Sequence, residues 1–159
     1  MELILSELTR GMPSTDLLFR MLLRIGAATI FGAVIGLQRA TAGKAAGLRT
    51  HVLVAVGTCI LVVACEGAGF SNEGLSRLVQ GIVTGIGFLG AGTILKMEDE
   101  REVHGLTTSA GIWMTAAIGV ATGLGTVGIA LVATLLTLLV LAFVGRLEYR
   151  MNLKTTADE

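Results

Sequence analysis

The stretch Gln80–Leu95, QGIVTGIGFLGAGTIL, decides how the chain is read. It is apolar along its length but carries five glycines, at 81, 85, 87, 90 and 92. In water that density argues against a helix, because each interior glycine costs about 1 kcal/mol relative to alanine. In lipid the argument reverses. Every backbone group must there be satisfied inside the segment, and small residues let neighbouring backbones approach closely. The stretch predicts a membrane helix that packs against others through Gly81, Gly85, Gly87, Gly90 and Gly92.

The rest of the chain agrees with a membrane solvent. Of 159 residues, 53% are hydrophobic and 15% charged, with a single proline and a mean hydropathy of +0.78. The charged residues sit between apolar runs, and the formal net charge of zero gives no reason to expect nucleic acid. Cys59 and Cys65 lie on one apparent helix, separated by a rise of about 9 Å, beyond disulfide reach. They read as packing residues. The start, MELILSELTRGMPSTD, lacks a basic head followed by an apolar core and does not read as a cleavable signal peptide.

Working outward gives an all-α, polytopic bundle of five spans. Residues 1–16 form an N-terminal arm whose Ser14 or Asp16 is placed to cap the first helix. The spans are Leu17–Leu37, Val52–Ala68, Leu78–Leu95, Leu106–Gly123 and Val127–Gly145, and 146–159 is a polar tail. The last two divide a 40-residue apolar stretch, too long for one crossing. An odd number of spans puts the ends on opposite sides. With the N-terminus outside, the inner segments hold eight basic residues (Arg39, Lys44, Arg49, Lys96, Arg101, Arg146, Arg150 and Lys154). The outer side then holds four, Arg10, Arg20, Arg24 and Arg77. The excess predicts an outer N-terminus and a cytoplasmic C-terminus.

The two halves share a pattern. Arg20, Phe31 and Arg39 recur as Arg77, Phe88 and Lys96, 57 positions later. Gly47-Leu48-Arg49-Thr50 and Gly105-Leu106-Thr107-Thr108 match at 58. This reads as a parallel internal repeat of helix hairpins; chance similarity between Gly/Ala/Leu-rich spans is the competing account.

Few residues offer chemistry. Arg24 lies about two turns inside the first span, so it either snorkels, or pairs with a carboxylate such as Glu66 or Glu73, or forms a site for an anion. The basic, Gly-rich loop 38–50 carries Arg39 and ends in Arg49 and Thr50 at a helix start, which suits an anionic partner or plain positive-inside topology. Gln80, Thr84 and Thr93 are the polar side chains of the Gly-rich span. That favours packing over cation coordination, since a hard cation needs several oxygens. Glu98, Asp99, Glu100 and Glu102 read as a solvated charged turn, and His104 alone makes no metal site. No metal-ligand spacing, phosphate loop or nucleophile–base pattern indicates an enzyme or a cofactor.

IGLQR (35–39), AGLRTHVLVAVG (46–57), GIVTGIGFLGAGTIL (81–95) and GLTTSAGIWMTAAIG (105–119) together resemble the MgtC/SapB family, from about Leu17 to about Gly128. The resemblance implies a bacterial inner-membrane protein linked to magnesium limitation, acid adaptation and, in pathogens, virulence. Some members resemble inhibitors of the F-type ATP synthase rather than magnesium transporters. Gln38 and Gly74 stand where the family usually has acidic residues, with Glu73 the acid nearest Arg77. Many members add a soluble ACT-like domain after the last span, and this sequence reads to Glu159 without one. Candidate functional residues are then Arg24, Arg39, Arg49, Thr50, Glu73, Arg77, Gln80, Thr107 and Thr108. Expected partners are membrane lipids, a second copy in a homo-oligomer (a dimer above all), and another membrane complex such as the F-type ATP synthase. The expected role is regulation through helix contacts; the alternative is an oligomeric transporter or channel for Mg²⁺ or another small solute.

The orientation is testable by labelling single cysteines in intact cells with a membrane-impermeant reagent. A cysteine at Glu73 is expected to react from outside and one at Asp99 only after permeabilisation; the reverse pattern overturns the assignment.

Overall fold

The computed structural model describes Met1, Ile4 and residues 14–96 and 103–144; the arm at 5–13, the acidic run at 98–102 and the tail lie outside the described residues. Among these the chain forms five helices. They are α1 (Thr15–Thr41), α2 (Leu48–Gly67), α3 (Asn72–Ala91), α4 (Leu106–Gly123) and α5 (Val127–Leu139), the last passing into a π-helical turn at Val140–Val144. α1, α2 and α3 are each long and apolar enough to cross a membrane, and Val127–Phe143 forms a shorter apolar helix. α4, with 18 residues, is about 27 Å long.

Local chemistry sets the ends. Ser14 caps α1 by accepting from the Leu17 N–H, and Asp16 sits in the first turn, where a carboxylate suits the helix dipole. Ser71 caps α3 in the same way through the Gly74 N–H. α2 and α4 instead begin at Gly47 and Gly105 with no side-chain cap. Gly105 has φ +95°, and a Cβ there would run into the Thr93 carbonyl, so only glycine fits.

Several boundaries depart from the sequence reading: α1 runs past Leu37 to Thr41 and takes in Arg39, α2 begins at Leu48 rather than Val52, and α3 at Asn72 rather than Leu78. The Gly-rich helix stops at Ala91, not Leu95. Leu95–Lys96 instead pairs antiparallel with Val103–His104. Thr93 turns its hydroxyl back onto the Gly90 carbonyl, and Gly90, Ala91 and Gly92 carry no side chain large enough to hold another turn. The short hairpin supplies backbone partners that the ended helix cannot.

α4 is the axis of the bundle and packs against all four other helices. Against α2 it presents glycines. A Cβ on Gly119 would meet the Thr58 hydroxyl and the Ala55 carbonyl, and one on Gly123 would lie 2.8 Å from Val62 Cβ. α1 seats on α2 in the same manner, with Gly32 against the His51 carbonyl and Gly36 against Leu48 Cα. Apolar side chains fill what remains. Ala28, Ala55, Cys59 and Val63 close the α1–α2 side. Ile35, Ile118 and Ala130 join α1, α4 and α5. Val62, Ile82, Ile86, Ile112 and Ala116 join α2, α3 and α4.

Gly32 abuts the His51 carbonyl, and Gly90 abuts the Ser109 hydroxyl, so a glycine meets the start of the following helix in both the α1–α2 and the α3–α4 hairpin. The two are not in the register of the sequence repeat, since 57 positions after Gly32 stands Leu89.

The glycines expected to pack divide unevenly. Gly90 meets Ser109 Oγ, and Gly92 meets only carbonyls of its own turn. Gly81, Gly85 and Gly87 have nothing within 4 Å of where a Cβ would stand. Within the chain, close packing between helices belongs to Gly32, Gly36, Gly90, Gly119 and Gly123.

Gly119→Ala is therefore expected to lower unfolding stability in mixed micelles by about 1–3 kcal/mol, the usual cost of overpacking against backbone. Gly26→Ala, where nothing lies within 4 Å, is expected to be neutral or slightly stabilising. Equal effects at the two positions would contradict the packing described.

Candidate functional site

Polar contacts between helices gather at the two ends of the bundle. Toward the end where α1 begins, Arg24 projects from the third turn across to α2 and α4. Its Nη1 donates to Glu66 Oε2 in an ion pair and to the Gly123 carbonyl at 2.8 Å. The guanidinium also lies over Gly125, whose φ of +80° and missing side chain leave it room. Of the readings of Arg24, the ion pair is the one realised, and Glu66 is the partner. Glu73 pairs instead with Arg77 one turn along α3, with both side chains largely exposed.

At the opposite end α1 finishes while α2 and α4 begin. Arg39 lies in the last turn of α1 and is only 3% exposed. Its Nη2 donates to Thr108 Oγ1 at 3.0 Å, across to the first turn of α4. Two residues from the separate loops expected to matter, Arg39 and Thr108, are thereby brought together. Its Nε is buried without a hydrogen-bond partner, as is Gln38 Oε1 on the preceding residue.

His51, fully buried one turn into α2, was not legible as a site residue. Its Nδ1 lies 2.7 Å from Thr115 Oγ1. Thr115 donates to the Gly111 carbonyl at 2.9 Å. With the Thr115 proton on that carbonyl, His51 Nδ1 is the donor of the pair; in the other tautomer the hydroxyl turns to Nδ1 instead. Nε2 is buried without a hydrogen-bond partner. The repeat held a signal for this position, because His51 and Ser109 follow the matching G-L-x-T segments.

The remaining candidates stay apart. Arg49 is exposed and Thr50 partly buried beside a shallow pocket of about 370 Å³ at the start of α2. Gln80 and Thr107 are exposed, and the Thr84 hydroxyl bonds back to the Gln80 carbonyl. Arg77 stands at the rim of a larger open groove, about 920 Å³, where α2 and α3 diverge. Gly57, Gly81 and Gly85 line its floor, with Leu53, Leu61 and Leu89 on its walls. Trp113 is half exposed and takes no part in either cluster. Among the described residues no group of three or more His, Cys, Asp or Glu is placed to hold a metal ion.

The sequence model of the MgtC family matches residues 25–150. Protein SrpB of Synechococcus elongatus is 45% identical over 141 residues, covering 82% of this chain and 75% of that protein. The putative magnesium transporter YhiD of Escherichia coli is 39% identical over 138 residues, 82% of this chain and 63% of that protein. Protein MgtC of Salmonella typhimurium is 42% identical over 122 residues, 77% of this chain. The chain spans about half the length of that protein, 51%. No solved structure is significantly similar.

Glu66→Gln is expected to cost about 1–2 kcal/mol, between the values for exposed and buried ion pairs, because the Glu66 side chain is 47% exposed. In a double-mutant cycle with Arg24→Gln, the paired change is expected to cost little more than either single one. Strict additivity would mean the two side chains act separately.

Proposed function

The chain belongs to the MgtC family, and we propose that it supports adaptation to magnesium limitation or acid stress by contacting another membrane complex through its helices. In this reading it is a multi-pass protein of the bacterial inner membrane, with the N-terminus outside, the C-terminus cytoplasmic, and no enzymatic step. Its first contact is with a second copy, and the F-type ATP synthase is a further candidate partner.

The observation that carries the reading is the groove between α2 and α3. Gly57, Gly81 and Gly85 each present bare backbone to it, with nothing within 4 Å of an added Cβ. A glycine that packs against nothing costs helix stability without return. A neighbouring helix laid in the groove supplies the close backbone contact for which glycine is the suitable residue. Lipid chains would fill the same space against larger side chains equally well.

A second reading is an oligomeric transporter. It is favoured by the name of the YhiD relative, a putative magnesium transporter. In that version the groove would be closed by neighbouring copies to enclose a path.

Two measurements separate these. Gly85→Leu is expected to leave insertion and monomer folding intact, since its side chain enters open space, while abolishing cross-linked oligomer and partner capture. An unchanged cross-linking pattern would refute the contact surface. Purified protein in proteoliposomes is expected to move no Mg²⁺ above the empty-vesicle background; measurable flux would establish the transporter reading instead.

A further inference from the structure

We propose that the end of the bundle around Arg39 is an oxyanion site, taking a phosphate group between the Arg39 guanidinium and the N-terminus of α4. A guanidinium carries five N–H donors, and here a single one is used, toward Thr108. Nε is buried and unpartnered. The side chain lies in the last turn of α1, where a cation suits the helix dipole, yet its hydrogen bond is aimed across at α4. A buried charge in a membrane bundle is costly unless it is paired.

No described carboxylate offers itself. Asp16, Glu66 and Glu73 all lie at the start of α1, the end of α2 and the start of α3, the opposite end of the bundle. What surrounds Arg39 instead is a set of donors. Thr108 accepts the arginine proton, leaving its own hydroxyl proton for a ligand. α4 starts at Gly105 without a side-chain cap, so no side chain satisfies the N–H groups of its first turn. α2 starts uncapped at Gly47 in the same way, beside the shallow pocket at Ala45–Thr50. Lys44 and Arg49 stand exposed nearby and raise the local concentration of anions. One edge of a guanidinium matches two oxygens of a phosphate, a fit that lysine cannot reproduce. The phosphate comes from an anionic lipid headgroup or from solution; the chemistry of capture is shared.

Thermal unfolding followed by circular dichroism in an uncharged detergent tests this, with two probes. One is phosphatidylglycerol against phosphatidylcholine in mixed micelles; the other is inorganic phosphate against chloride at matched ionic strength. Wild-type protein is expected to gain several degrees in midpoint with an anionic probe. A gain with phosphatidylglycerol alone identifies the lipid source, and a gain with inorganic phosphate as well identifies free phosphate. Arg39→Gln is expected to weaken the apparent affinity at least tenfold, and to melt no lower than wild type when no anion is added. A merely structural arginine would lower the midpoint whether or not anion is present. Arg39→Lys is expected to recover only part of the affinity. Should Arg39→Gln fail to fold, Thr108→Val decides, with a weaker anion response expected. An absent response in wild type, or one undiminished in these variants, overturns the proposal.

Discussion

Where α2 and α4 cross, the backbone of one helix lies directly against the other, and the rest of the bundle is arranged around that contact. Lipid chains are as apolar as leucine, so no hydrophobic force pushes two membrane helices together. Attraction then rests on dispersion, which falls steeply when even a small gap opens. Gly119 and Gly123 close that gap against Ala55, Cys59 and Val62. With α4 held on α2, α1 packs against α2 through Gly32 and Gly36 while also touching α4, and α5 joins α1 and α4. α3 is the least embedded of the long helices, burying only Ile82, Ile86 and Gly90.

The fold class was legible because apolar run length is a direct response to membrane thickness. The five helices fall where those runs lie, with α1 starting at Thr15 and α2 at Leu48, a few residues outside the predicted spans. What could not be read was which glycines touch a neighbour. Gly81 and Gly85 have the same four-residue spacing as Gly119 and Gly123, and only the placement of the other helices distinguishes them. The end of α3 was misread for a similar reason. Its composition is apolar to Leu95, while the break at Ala91 goes with the Leu95–His104 hairpin, which folds Gly105 back against Thr93. Arg24 was legible as either exposed or paired, since its depth follows from span length but its partner does not. His51 was not read as a site residue, because its one cue, a place just after the matching G-L-x-T segment, says nothing of a partner until Thr115 is placed beside it.

The two inter-helix arginines make an instructive pair. Arg24 and Arg39 lie on the same helix, each near one end, and each reaches across to α4. Arg24 meets a carboxylate and a carbonyl, so its charge is neutralised within the fold. Arg39 meets a hydroxyl, which can accept its proton but cannot balance its charge. The first completes a contact; the second leaves a demand that a ligand meets.

The buried threonines have a mechanical consequence. Thr58, Thr115, Thr122, Thr134 and Thr137 each return a hydroxyl proton to a carbonyl four residues earlier on their own helix. Thr115 also meets His51; the other four are satisfied without linking one helix to another. Apart from the Arg24 and Arg39 ends and the His51–Thr115 bond beside the latter, no described side chain ties two helices by a hydrogen bond. Through its middle the bundle is thus lubricated rather than stitched. An axial slide of α2 past α4 would meet only packing resistance through the middle, and the polar bonds that oppose it are His51–Thr115 toward one end and Glu66–Arg24 at the other.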